Sequence, residues 1–193
     1  VVRARSARPP LRCAARRDPA AQITAGLVVA LGISGCAGWR GDTYFARNAT
    51  EATYAIAQPG APWTPAPRLE GVQVAWAHPD IGAVVEVHGE CEVHGDAPLP
   101  EYLDHLRIGW TEWVVVSQEE RTVLGRAALH AVVTARLDGV PRSLEFLVLK
   151  KNGCVLDVRL SAPPQHFDTG RAAFDRVTAG LQFPAPGAGR GRT

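Results

Sequence analysis

The sequence predicts an α+β fold: an antiparallel sheet of about six or seven strands with two helices set to one side. Three observations predict it. Apolar residues alternate with period two from Trp113 to Leu160, which is strand patterning. That run is cut by Asp138-Gly139 and Asn152-Gly153, which supply the positive φ that tight hairpins demand. Helical spacing appears only before it, around Leu99–Trp110, and after it, around His166–Leu181. The chain has 193 residues, 46% of them hydrophobic and 21% charged, which suits one globular domain and excludes wholesale disorder.

The elements follow in order. Thr53–Ala57 is a first strand, and residues 58–67, with four prolines, form an extended connection. Val72–Trp76 alternates and is a second strand, followed by the turn Pro79-Asp80-Ile81-Gly82. Ala83–Val93 is a third, with Val85, Val87, Cys91 and Val93 on one face and Glu86, His88, Glu90 and Glu92 on the other. Pro100 to about Trp110 is a helix, with Leu99, Leu103, Leu106 and Trp110 at helical spacing. Trp113–Ser117 is a strand, and Gln118–Arg121 a polar turn. Around Asp138-Gly139 a two-residue loop pairs Val133 with Leu144 and Ala131 with Phe146, which puts apolar groups on a shared face. Around Asn152-Gly153 a two-residue loop would set Phe146 against Arg159. A three-residue loop, Lys151-Asn152-Gly153, is expected instead because it sets Phe146 opposite Val158 and Val148 opposite Leu156. Asp157 and Arg159 then face solvent. Residues 184–193 are too rich in Pro, Gly and Arg to pack, so a disordered tail is expected.

Charge is distributed unevenly. Residues 1–35 carry six Arg and one Asp, a net +5, so the rest of the chain sums to −3. A mildly acidic body argues against nucleic-acid binding. The apolar run Ile23–Ile33 is too short to span a membrane but has the length of a signal-peptide core. Ile33-Ser34-Gly35-Cys36, which follows the basic flank and the apolar run, resembles the bacterial lipobox. That resemblance implies cleavage before Cys36 and a diacylglycerol on its thiol. It also implies a lipid-anchored, periplasm-facing place in a bacterial cell envelope. The expected organisation is a signal peptide over 1–35, a tether over 36–50, a domain over 51–183 and a tail over 184–193. With Cys13 lost with the signal and Cys36 lipidated, Cys91 and Cys154 remain. In an exported protein they commonly pair, and a disulfide is favoured over two buried thiols.

Tyr54-Ala-Ile-Ala-Gln-Pro59 with Trp63 is similar to the opening of the PsbP-like fold. So are Lys150-Lys-Asn-Gly-Cys-Val-Leu-Asp157, the following Ala162-Pro-Pro, and Phe167 with Phe174. Members of that fold include a photosystem accessory protein and a nuclear GTPase-binding protein. The resemblance over about 51–183 implies a non-catalytic binding or accessory module, its partner an envelope protein or small ligand. It carries over no catalytic residue and no cofactor. The sequence agrees: Ser117, Ser143 and Ser161 sit in no hydrolase motif, and Gly187-Ala-Gly189-Arg-Gly191 lacks the strand and helix of a phosphate loop. One local constellation suggests a rival. His88, Glu90, Glu92 and His94 alternate along one strand face and offer nitrogen and oxygen ligands suited to zinc or copper. Side chains at that spacing are nearly 7 Å apart, so such a row supplies two ligands at most without help from a neighbouring strand. The plainer reading is a solvated strand face.

Overall fold

The computed structural model describes residues 39–46, 51–67, 71–91 and 97–183. A small antiparallel sheet has the order β1 (Trp39–Arg40), β2 (Thr43–Tyr44), β3 (Tyr54–Ala55). The large sheet has seven strands: β4 (Thr64–Pro65), β5 (Val72–Ala77), β6 (Val84–Cys91), β7 (Thr111–Val123), β8 (Arg126–Leu137), β9 (Val140–Lys151) and β10 (Cys154–Ala162). Its order is β4-β5-β6-β10-β9-β8-β7, with every pairing antiparallel. Helix α1 spans Leu99–Leu106, and α2 spans Phe167–Ala179 after a 3₁₀ turn at Pro164–His166. The α+β fold expected from the sequence is therefore the fold observed.

The helices are not on one side of the sheet, as expected, but on opposite faces. Phe174 and Val177 of α2 pack with Leu147, Leu149, Leu156, Val158 and Leu160. Leu99, Tyr102 and Leu103 of α1 pack with Leu129, Ala131, Val133, Phe146, Val148 and Val155. Successive residues of β9 thus enter different cores, and Leu144–Leu149 are all buried.

That two-sided burial overturns the expected three-residue hairpin. The observed loop is the two-residue Asn152-Gly153, with φ of 52° and 77°. Lys151 faces Cys154, Leu149 faces Leu156, and Phe146 does face Arg159. A strand with one wet face would reject this register, but Asp157 and Arg159 find each other on the α1 side instead of facing solvent. Around Asp138-Gly139 the expected pairs hold: Val133 with Leu144, Ala131 with Phe146 and Leu129 with Val148.

Three boundaries also differ. The α1 helix ends at Leu106, short of Trp110, where Gly109 adopts a φ of 87°. Gln118–Arg121 is no turn; it lies inside β7, and the chain reverses at Leu124-Gly125, both with positive φ. β7 is an exposed edge strand, so its polar residues mark solvent on both faces rather than a bend. Finally, packing begins before residue 51. Within the stretch expected as a tether, Tyr44 is fully buried, stacks on Tyr54 with centroids 5.4 Å apart, and donates a 2.6 Å hydrogen bond to Glu51. Burial of Tyr54 pushes its phenol well above the usual range, so it stays neutral at any working pH.

The expected signal segment, Cys36 and the tail from residue 184 lie outside the described residues. Among those described, no helix is long and apolar enough to cross a membrane.

Candidate functional site

Because α2 covers only the middle of the sheet, the outer strands β7 and β8 leave a groove along its flank. Its volume is about 500 Å³, within the range of small-molecule sites. Strand alternation decides what lines it. Ser117, Glu119 and Arg121 of β7 share a face, and Glu119 stands directly opposite His130 of β8. Val132 of β8 is paired with Glu145 of β9. Helix α2 supplies the facing wall through Arg171, Phe174 and Asp175.

A charged network occupies the floor. Glu145 is 3% exposed and His130 8%. His130 Nε2 lies 2.8 Å from Glu145 Oε1, and Arg171 Nε donates to Glu145 Oε2 over 3.1 Å. A carboxylate this deep needs both partners, because an unpaired buried charge is costly. The outer wall has its own pair: Arg121 Nε donates to Glu119 Oε1 over 2.7 Å. That guanidinium holds the Glu119 carboxyl below the usual carboxylate range. His130 Nδ1 is 3.5 Å from Glu119 Oε1, too far for a good hydrogen bond, and is buried without a hydrogen-bond partner. Nothing in the local sequence flagged this groove. Glu119 and Glu145 are 26 residues apart in sequence, and only the sheet register brings both to His130.

The candidate metal row is described only in part. Glu92 and His94 lie outside the described residues. His88 and Glu90 face a crevice of about 160 Å³ beneath α1, shared with Tyr102, His105, Asp157 and Arg159. His88 is no solvated residue; its side chain is 12% exposed, and Nε2 lies 3.9 Å from Glu86. The His88 imidazole is the main cause holding the Glu86 carboxyl low, opposed by burial and helped by the charge of Arg159. Among the described residues, no three His, Cys, Asp or Glu gather where they could hold a metal ion.

The other expected pair does meet. Cys91 and Cys154 are directly opposite on β6 and β10 and form a disulfide.

No family model matches the chain, and no curated relative matches it. Solved structures do. PsbP of Synechocystis sp. PCC 6803 (CyanoP) is 16% identical with a TM-score of 0.50, covering 79% of this chain and 99% of its own. LpqN, described as involved in cell envelope biogenesis of Mycobacterium tuberculosis, is 15% identical with a TM-score of 0.49, covering 69% and 86%. PA94 of Pseudomonas aeruginosa, a protein of unknown function, is 15% identical with a TM-score of 0.47, covering 74% and 90%. The class is thus an α+β domain with helices on both faces of a seven-stranded antiparallel sheet. More particularly, this is the PsbP-like fold. At such identity the likeness concerns fold alone, and function has to be argued from the sites.

Proposed function

We propose that this chain is a lipoprotein of a bacterial cell envelope, anchored through Cys36, whose PsbP-like domain faces the periplasm as a non-catalytic binding or accessory module. The observation that carries the reading is the Cys91–Cys154 disulfide. Such bridges persist in oxidising compartments, and the lipobox-like Ile33–Cys36 would send the chain to one. Acyl chains bury enough CH₂ groups, at about 0.8 kcal/mol each, to hold a protein on a bilayer. Only two residues lie between Cys36 and β1, a contour of about 10 Å, so the domain would sit close to the lipid. The groove between α2 and the β7–β9 flank is the surface offered to a partner or small ligand.

Intact mass of the protein extracted from native membranes tests this. The expected mass is residues 36–193 plus acyl chains, rising by about 2 Da on reduction of the one disulfide. An unlipidated mass that includes residues before Cys36 would overturn the anchor and the location together.

A further inference from the structure

The two edges of the large sheet are finished differently. At one edge β4 has two residues and ends on Pro65, which donates no backbone hydrogen bond, so a further strand finds little to pair with. At the other edge β7 offers thirteen residues whose outer side pairs with no strand among the described residues. Its charges lie toward the ends, at Glu112 and at Glu119-Glu120-Arg121, which leaves Trp113-Val-Val-Val-Ser-Gln118 uncharged. Of the seven large hydrophobics exposed among the described residues, five lie on β7 or flank it. Val114, Val115 and Val116 are within it, Ile108 lies before it and Leu124 follows it. A long edge with an uncharged apolar centre is a template for another strand.

We propose that the chain forms a two-fold dimer in which β7 pairs antiparallel with β7 of a second copy, continuing one sheet into the other. The strand is complementary to itself. A bulge between Val115 and Ser117 puts Val114 and Ser117 on one face of the sheet, the face of their β8 partners Thr134 and Val132. A two-fold axis between Val116 and Ser117 therefore keeps opposed side chains on a shared face. In that register Val115 stands opposite Gln118 of the second copy, and Val114 opposite Glu119. Glu112, which reaches Arg136 on the face of Thr134, comes opposite Arg121 of the second copy, so unlike charges meet at both ends. The loop holding Ile108 comes alongside the turn holding Leu124 of the second copy. An axis between Val115 and Val116 would instead oppose Glu112 and Glu119. Because β4 offers no second open edge, the assembly closes at two copies.

Sedimentation equilibrium of the full chain in density-matched detergent tests this, and the native chain should be dimeric. Glu112→Arg and Arg121→Glu should each weaken self-association by about tenfold. An equimolar mixture of the two variants should recover it, because every arginine at these positions then faces a glutamate. Both positions are exposed, so both variants should fold, which melting curves check. Ser117→Cys, exposed and beside the axis, carries the test if either does not. On oxidation it should form a reducible cross-linked dimer beyond any in the parent chain. A monomeric native chain overturns the proposal. So does a pair of folded charge variants whose mixture fails to recover the dimer, or a Ser117→Cys chain that does not cross-link, because assembly then uses another surface.

Discussion

His130 Nε2 and Glu145 Oε1 meet at 2.8 Å on the floor of the groove, joining β8 to β9 beneath the edge of α2. Arg171 completes the set from the helix. Removing one member leaves a polar group buried without its partner, whereas removing both charges together does not. Glu145→Ala should therefore cost about 3 kcal/mol, and His130→Leu combined with Glu145→Leu much less. Urea midpoints of the single and double variants check this. Equal losses would mean the pair is not buried as described.

The Cys91–Cys154 bridge closes a loop with a sequence separation of 63. In the chain-entropy model that constraint contributes about 4 kcal/mol. Because the two strands are already paired over eight positions, reduction should leave the fold in place but move its denaturation midpoint down. Guanidinium unfolding with and without reductant reads the difference. An unchanged midpoint would show that the bridge does not form in solution.

Acid stability should depend on Glu86. Its carboxyl is lowered in the folded chain, chiefly by His88, so the unfolded chain binds the proton more tightly. The resulting stabilisation is present above about pH 4.5 and is lost as pH falls through the lower folded value. Glu86→Gln should therefore flatten the acid limb of stability against pH below about 4.5. Glu119 is lowered too, but it is exposed, so salt should erase its share. Thermal unfolding from pH 3 to pH 6, in low and high salt, separates the two.

Two glycines should fail for different reasons. A Cβ on Gly180 would lie 2.6 Å from the backbone nitrogen of Ala57, a clash that only a backbone shift relieves. Gly139 has open space, but its φ of 80° strains any other residue. Gly180→Ala should cost about 1 to 3 kcal/mol through overpacking. Gly139→Ala should cost about 1 to 2 kcal/mol through backbone strain alone. Crystal structures of the variants would show displacement at Ala57 in the first and none beyond the hairpin in the second.

Much of the fold was legible because local chemistry dictated it. Asp138-Gly139 and Asn152-Gly153 are both hairpin turns, and the odd residues of β6 do enter the core. The β9–β10 register failed for a simple reason. Alternation identifies a buried face only when the other face is wet, and β9 has no wet face. The edge strand β7 has the opposite trouble, with polar residues on both faces that imitate a turn. The groove was illegible because its residues come from β7, β8, β9 and α2, and no short-range spacing records a sheet register. For the row His88, Glu90, Glu92 and His94, strand spacing reveals nothing about Asp157 and Arg159 on the neighbouring strand or about the helix above.

Hairpin length offers the sharpest test of the β9–β10 register. One residue inserted after Gly153 lengthens the loop to the three residues that patterning alone would choose. β10 can then absorb the extra residue in a bulge or slip by one. A slip would send Leu156, Val158 and Leu160 to the α1 side and bring Asp157 and Arg159 under α2, exchanging five side chains between cores. It would also carry Cys154 away from Cys91. The insertion should therefore either cost several kcal/mol with the disulfide intact or leave two titratable thiols in a poorly folded chain. The same insertion after Gly125, at the exposed β7–β8 turn, disturbs no core and should cost under about 1 kcal/mol. Thiol titration and melting of the two insertion variants decide it. If the Gly153 insertion is as mild as the Gly125 insertion, the two-residue register is not what holds β10 in place.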